Sequence, residues 1–179
     1  EWLAVYGCGG VGLSAIMIGA AMGAQVIGVD VQTDALARAQ AAGAAAVVDA
    51  SEVDPVTAVH DLTHGGAHVS LDALGHRQTC RQSILSLRKR GRHVQVGLLL
   101  ADEDNPPLPM SRVIGWELEI LGSHGMQAHA YPPMLDLIER GVLRPLDLVG
   151  RTIGLDAAGQ ALTAMGQFAS PGVTVINRF

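Results

Sequence analysis

The stretch YGCGGVG, residues 6–12, lies between two apolar runs and holds four glycines in six residues. Glycine weakens both helices and strands, so this density indicates that the bare backbone itself is needed. Gly7, Gly9 and Gly12 match the pattern G-x-G-x-x-G, after a predicted strand and at the start of a predicted helix. In that setting the first glycine permits a tight turn and the second lets the backbone approach a pyrophosphate. The third allows the helix to pack closely on the strand. The stretch therefore predicts a dinucleotide-binding turn whose phosphates face the free amides of the helix N-terminus.

An acid follows at the distance that this turn requires. Asp30 stands near the end of the second predicted strand, residues 25–31, 18 positions after Gly12 (30 − 12). A carboxylate in this place accepts hydrogen bonds from the adenosine ribose hydroxyls. Its charge repels a 2′-phosphate, and the first basic residue after it is Arg38, two helical turns further on. The pattern predicts NAD rather than NADP; a structural glycine turn with an incidental acid is the alternative.

Continuous apolar strands alternate with helix-length segments through the first hundred residues. This rhythm is typical of βαβ units, with a parallel sheet covered by helices on both faces. The predicted strands are 3–6, 25–31, 46–48, 69–72 and 93–96, and the predicted helices are 11–22, 33–42, 54–63 and 78–87.

The rhythm changes after Val96. The sequence predicts an irregular loop over 98–112, a sixth strand at 118–122 and a helix at 132–140. A short α/β appendage then contains a strand at 148–153, a helix at 156–168 and a strand at 173–177. The fold class is thus α/β: a doubly wound six-stranded parallel sheet, the Rossmann fold, over residues 1–145, with a C-terminal return segment over 146–179.

Composition excludes several classes of protein. Apolar residues make up 49% and charged residues 16%, with a net charge of -5, which predicts a large core and no nucleic-acid partner. The apolar stretch 11–31 is interrupted by Gly19, Gly23 and Gln25, which predicts a buried helix and strand rather than a membrane span. The two cysteines form no C-x-x-C pair, and no leader pattern opens the chain, so we expect a cytoplasmic protein. The basic run 88–90, with Arg92, is interpreted as a helix C-terminus.

The order of motifs resembles the zinc-dependent alcohol dehydrogenases of the medium-chain dehydrogenase/reductase superfamily. The resemblance covers nearly the whole chain and rests on GCGGVGLSAIMIGAAMGAQVIGVDV, AAGAAAVVDAS, DALG, GRHVQVG and ELEILGSHG. It implies an NAD-dependent oxidoreductase that transfers a hydride between an alcohol or aldehyde substrate and nicotinamide. In that family a preceding domain of GroES-like fold carries the catalytic zinc, and nothing in this sequence corresponds to it. Zinc is therefore expected only on that domain, and this chain alone is expected to bind cofactor without turnover.

The resemblance also implies the cofactor contacts. The glycine turn would hold the pyrophosphate and the acid the adenosine ribose, while the loop after the fourth strand would line the adenosine side. The loop after the fifth strand would approach the nicotinamide, and the end of the sixth would bind its carboxamide. The positions are Gly7, Gly9, Gly10, Val11, Gly12, Asp30, Ala73, Leu74, Val96, Gly97, Leu98, Leu121, Gly122 and Ser123. Some relatives carry a lysine soon after the ribose acid, where this chain has Thr33 or Ala35, and a basic residue before the last strand, where it has Gly172 and Val173. Both departures predict modest affinity.

The sixth strand, 118–122, is predicted to lie at an edge of the sheet. An open edge is a template for pairing with another chain. The resembled family dimerises by pairing this strand with its own copy, which implies a homodimer. Coverage of the edge by the loop 102–109 or by the C-terminal segment is the alternative.

Other functions stay open at this point. A regulatory NAD-sensing module, a zinc-free quinone or enoyl reductase, and an S-adenosylmethionine-dependent methyltransferase all use a similar turn. His60 and His64 have the spacing of the two histidines in H-E-x-x-H, although the middle acid is Asp61 and no third ligand follows, so a helix end is the favoured interpretation. His124 and His129 flank a loop near the predicted nicotinamide site, where a simple loop role is favoured over a contact with substrate.

Overall fold

The computed structural model describes residues 1–100, 104–165 and 172–179 of the chain. Six parallel strands form the main sheet: β1 (Trp2–Tyr6), β2 (Gln25–Asp30), β3 (Ala46–Asp49), β4 (Ala67–Asp72), β5 (Leu87–Gln95) and β6 (Glu119–Gly122). Their order in the sheet is β3-β2-β1-β4-β5-β6. The chain therefore turns from one half of the sheet to the other between β1 and β4, where doubly wound folds bind their ligands. The predicted fold class is confirmed.

Helices connect the strands: α1 (Gly10–Ala21), α2 (Thr33–Ala41), α3 (Pro55–Thr63), α4 (Arg77–Leu85), α5 (Met110–Trp116) and α6 (Tyr131–Glu139). None of the helices in the described part of the chain is long and apolar enough to span a membrane.

The central strand β1 shows why both faces of the sheet are covered. Val5 packs with Leu13 and Leu36 of α1 and α2 in one buried cluster. Its neighbours Ala4 and Tyr6 point the other way and pack with Val59 of α3. Alternate side chains of one strand face opposite sides of a sheet, so an apolar strand buries both of its faces only when helices lie on each side.

The C-terminal residues form a second, two-stranded parallel sheet of β7 (Val149–Gly154) and β8 (Val173–Arg178). Helix α7 (Ala158–Ala164) lies between these two strands in the chain. This segment is not detached from the main sheet, because Leu148 is buried in the same cluster as Val5, and Val173 packs against that cluster. The boundary between residues 145 and 146 stays a prediction. The predicted helix 156–168 begins later, at Ala158, and its last three residues lie outside the described ones.

Two predictions about the second half of the sheet are wrong. The basic run lies in β5 rather than at a helix C-terminus, because α4 ends at Leu85. Ala67 pairs with Leu87 and Val69 with Arg92, so residues 88–91 bulge out of the strand pair, with Arg90 at a φ of 60°. The predicted loop 98–112 ends in helix α5, held by Val113 and Trp116 against the buried residues Cys80, Ile84, Leu87 and Leu118. Asp102 and Glu103 of that loop lie outside the described residues.

Candidate functional site

The glycine turn joins β1 to α1. Gly7 has a φ of +90°, which L side chains rarely adopt, and its N–H donates to the carbonyl of Val29 at 2.8 Å. A Cβ on Gly12 would overlap the carbonyl oxygen of Gly7, so α1 packs on the turn with no room for a side chain. Gly9 differs from both, because no described atom lies within 4 Å of the place that its Cβ would take. Gly9 therefore opens onto free space beside the first turn of α1, whose start carries no side-chain cap among the described residues.

Asp30 is tied directly to this turn. One carboxylate oxygen accepts the Cys8 N–H at 2.7 Å, and the other accepts the N–H groups of Val31 and Gln32 at 2.8 and 3.0 Å. The side chain is partly buried at the end of β2. These bonds hold the predicted ribose acid beside the predicted phosphate cradle. A carboxylate has about four acceptor positions, so a ribose can still bind here.

Cys8, inside the turn, is not a nucleophile. Its side chain is fully buried, and burial together with the charge of Asp30 raises the pKa of its thiol to about 12. The reactive form of cysteine is the thiolate, which such a pKa suppresses. Packing in the core is the role that the geometry supports.

The C-terminal return segment, within residues 146–179, lies against the first residue of α1. A Cβ on Gly10 would lie 3.2 Å from Cγ2 of Val173, so an apolar side chain lies beside the start of α1. A guanidinium nevertheless lies close by: Nη1 of Arg38 is 2.8 Å from the place of a Cβ on Gly172. Arg38 is thus turned toward the segment before β8.

The loop after β4 reaches the glycine turn. Cβ of Leu74 lies 3.2 Å from the place of a Cβ on Gly7, and 43% of the Leu74 residue surface is exposed. Ala73 donates its N–H to the carbonyl of Tyr6 at 2.8 Å, just before the turn. The two residues predicted on the adenosine side therefore stand next to the predicted phosphate cradle.

Five of the six residues predicted on the nicotinamide side line one cleft of about 380 Å³. It lies between the loops that follow β5 and β6, and its walls include Val96, Gly97, Leu98, Gly122, Ser123 and His124. Leu121, in β6, lies beside this wall with 46% of its surface exposed. The roles of all fourteen residues in cofactor binding stay predictions, but the fold brings them to one edge of the sheet.

His60 and His64, the two histidines of the H-D-x-x-H pattern, do not belong to a metal site among the described residues. His60 lies 3.0 Å from the carbonyl oxygen of Leu85 through Nε2, and its ring meets that of Trp116 edge to face. His64 ends α3 in a left-handed conformation, with a φ of 55°. Among the described residues, no three histidine, cysteine or acidic side chains lie close enough together to hold a metal ion.

Three polar residues at the cleft were not identified from the sequence: Gln95 in its wall, and Asp72 and His93 behind it. Asp72 and His93 are completely buried, and the side chain of Gln95 lies between them. Their signal in the sequence is the presence of polar residues in otherwise apolar strands, within DALG and GRHVQVG. Such residues need buried hydrogen-bond partners, which pattern alone does not identify.

Comparison with known proteins places this geometry in context. Residues 10–140 match the family model described as zinc-binding dehydrogenase. An NAD-dependent alcohol dehydrogenase of Sulfurisphaera tokodaii is 34% identical over 171 residues, which are 94% of this chain and 48% of that protein. An erythritol/L-threitol dehydrogenase of Mycolicibacterium smegmatis is 32% identical over 156 residues, which are 82% of this chain and 40% of that protein.

Solved structures show the same architecture. The crystal structure of an alcohol dehydrogenase from the archaeon Aeropyrum pernix superposes with a TM-score of 0.87 at 29% identity. The match covers 98% of this chain and 49% of that one. The chain thus spans about half the length of the relatives that it matches.

Proposed function

Because the chain belongs to the zinc-binding dehydrogenase family, we propose that it is the NAD-binding part of an oxidoreductase that transfers a hydride between an alcohol and nicotinamide. One observation carries the proposal: the Asp30 carboxylate bonds the Cys8 N–H, 2.7 Å away, inside a turn that leaves open space at Gly9. A ribose acceptor and a phosphate cradle are thereby joined in one unit. That pairing is what a dinucleotide requires.

The chain's own residues would bind and orient the cofactor. Asp30 accepts hydrogen bonds from the adenosine ribose, and the first amides of α1 face the pyrophosphate. The cleft after β5 and β6 encloses the nicotinamide end, with the backbone at Gly122 and Ser123 available to its carboxamide. When bound, the nicotinamide supplies the hydride acceptor. Since the described residues offer no zinc site, ligands for a catalytic zinc are proposed to lie elsewhere in the enzyme.

Two measurements test the function in order. Calorimetry of the chain should show one NAD site and no binding of S-adenosylmethionine. The complete gene product should then reduce NAD with a primary or secondary alcohol, as followed by NADH absorbance. Binding of NAD without oxidation of any alcohol tried would favour an NAD-sensing module, and binding of S-adenosylmethionine alone would favour a methyltransferase.

Replacing Asp30 with serine is expected to weaken NAD binding and narrow its advantage over NADP. A hydrogen bond to a charged group contributes about 1.5–3 kcal/mol, so the NAD affinity should fall roughly 10- to 100-fold. NADP should lose less, because the repulsion of its 2′-phosphate disappears with the carboxylate. Asp34→Ser, at an exposed acid in the first turn of α2, is the matched control. Calorimetry that finds NADP bound as tightly as NAD by the unmodified chain would contradict the assignment.

We also propose that the protein forms a homodimer through β6. This strand is the edge of the sheet, and all four of its residues are exposed, including Ile120 and Leu121 at 39% and 46%. A two-fold axis beside it would pair the strand antiparallel with its own copy and remove the open edge.

The two buried free thiols, Cys8 and Cys80, suit a reducing compartment, and we propose that the protein is cytoplasmic.

Ile120→Pro is expected to release monomers without unfolding them. The Ser123 N–H donates to Gln95 of β5, and N–H groups alternate along a strand, so the N–H of Ile120 points to the open edge. Proline removes that donor while the bonds to β5 remain. Ile120→Thr, which keeps the donor, is the control for lost apolar area. Light scattering should find a dimer for the unmodified chain and a monomer for the proline variant; a monomer in both at high concentration would end the proposal.

A further inference from the structure

The loop after β4 is held by a buried carboxylate. Asp72 ends β4 with no exposed surface, and one of its oxygens accepts the N–H groups of Leu74 and Gly75 at 2.9 and 3.1 Å. Its other oxygen accepts from Nε2 of Gln95 at 2.8 Å. The position of this loop, and of Leu74 against Gly7, thus depends on Asp72.

The Gln95 side chain also holds the loop after β5. Its Nε2 donates a second bond, 2.8 Å long, to the carbonyl oxygen of Gly97. The N–H of Gly97 in turn donates to the Asp72 carbonyl at 2.8 Å. Gly97 is therefore bonded at both of its polar backbone groups. Through its own carbonyl, Gln95 also accepts the Ser123 N–H at 3.0 Å, which ties in the loop after β6.

The orientation of the Gln95 amide follows from its partners. Asp72 and the Gly97 carbonyl can only accept, so both amide hydrogens face them and Oε1 faces His93, whose Nε2 is 3.2 Å away. The Nε2 of His93 therefore carries the ring proton and donates a hydrogen bond to Oε1 of Gln95. Its Nδ1 is then the acceptor, and it faces the hydroxyls of Ser70 and Ser83 at 3.2 and 3.1 Å. Burial lowers the pKa of His93, which keeps the ring neutral and this direction of bonding intact.

The two loops touch each other through bare backbone. A Cβ on Gly75 would overlap the carbonyl of Leu98, and a Cβ on Gly97 would overlap the N–H of Gly75. No side chain can stand between them, so their separation is set by hydrogen bonds rather than by packing. The Gln95 side chain donates hydrogen bonds to Asp72, at the base of the loop after β4, and to the carbonyl of Gly97, in the loop after β5.

We propose that Gln95 is a positioning residue that fixes the nicotinamide cleft relative to the glycine turn. The inference rests on the proposed function, since it concerns the two ends of a bound dinucleotide. Asp30 and the glycine turn hold the adenosine end of the dinucleotide, and Gln95 takes no part in these contacts. The loop 96–98, which lines the cleft, is bonded to the Asp72 carbonyl by its own N–H groups, and the Gln95 side chain fixes the Gly97 carbonyl and links it to the Asp72 carboxylate. Misplacement of a binding wall by about 1 Å can cost large factors in affinity or rate.

Gln95→Met tests the proposal, because methionine matches glutamine in length and has no N–H donor. ADP probes the adenosine end alone, and NADH probes both ends. We expect the ADP dissociation constant of the variant to stay within about twofold, while that of NADH rises about tenfold, as two lost hydrogen bonds imply. The blue shift of NADH fluorescence on binding should also shrink. Gln40→Met, at an exposed position of α2, is the matched control and should change neither constant.

Each outcome decides the matter. Equal weakening of ADP and NADH, or no weakening of either, overturns the positioning role. If Gln95→Met does not fold, Gln95→Asn keeps the amide but is one methylene too short to reach both loops, and the same selective loss is expected. If the unmodified chain binds neither ADP nor NADH, the proposed function fails, which is distinguishable from failure of the positioning role alone.

Discussion

Replacing Gly12 with alanine is expected to destabilise the protein by at least about 3 kcal/mol and to abolish NAD binding at the concentrations used for the parent. The new methyl group would overlap the carbonyl oxygen of Gly7 and lie 2.9 Å from its carbon. Neither partner can move cheaply, because Gly7 is held at a φ of +90° by its bond to Val29 and α1 is packed on β1. Overpacking of this kind costs about 1–3 kcal/mol and sometimes more. The melting temperature should therefore fall by roughly 6 °C or more.

Two glycine variants separate this effect from its alternatives. Gly115→Ala, in α5, meets no described atom within 4 Å and should be neutral or slightly stabilising, since alanine favours helix. Gly9→Ala also meets none, and the extended backbone of Gly9 (φ -76°, ψ -166°) suits alanine. It should therefore leave the melting temperature unchanged but weaken NAD binding, because its methyl group takes the space proposed for the pyrophosphate. A Gly12→Ala protein that melts with the parent, as judged by calorimetry, would show that the close approach is not needed.

The main sheet could be predicted because its signals are local. The run of glycines, the apolar strands and the acid at Asp30 each lie within one βαβ unit, and the observed strand order is the one typical of folds that bind dinucleotides at such a turn. The position of the candidate site could be predicted for the same reason, since parallel strands bring the loops at their carboxyl ends to one edge of the sheet.

The missed elements depend on partners far away in the chain. Helix α5 has only seven residues, with Gly115 among them, too short and too weak a pattern to predict. Its stability comes from contacts of Val113 and Trp116 with the buried cluster of α4 and β5, and from the Arg112 guanidinium, 3.9 Å from the centre of the Trp116 ring. The bulge at 88–91 depends in the same way on pairing with β4.

The buried polar residues were visible in the sequence, but their meaning was not. Asp72 and Gln95 are 23 positions apart, and only the register of β4 with β5 sets them side by side. Polar groups inside apolar strands therefore indicate that a network exists, whereas its members and its direction require the structure.

Asp72→Asn is expected to be the most damaging change within that network, with a loss of about 2–4 kcal/mol of stability. An asparagine has one acceptor oxygen where the carboxylate has two. One side of Asp72 faces the N–H groups of Leu74 and Gly75 and the Thr79 hydroxyl, and the other faces the Gln95 amide. In either orientation the new NH₂ therefore points at a donor, and an unsatisfied buried group costs about 1–3 kcal/mol. Turning the Gln95 amide over would satisfy the NH₂ but would give up its bond to Gly97.

Calorimetric melting of Asp72→Asn beside Asp49→Asn tests this reasoning. Asp49 ends strand β3, at one edge of the same sheet, and its hydrogen-bond partners at Ser51 are exposed to water. The same substitution should therefore cause a much smaller change there. For Asp72→Asn the melting temperature should fall by roughly 4–16 °C, and NADH affinity should fall more than ADP affinity, because the loops after β4 and β5 lose a common anchor. If the two variants melt together, the fully buried carboxylate does not organise these loops, and the separation of the two ends of the cofactor site must be set by the glycine contacts between them.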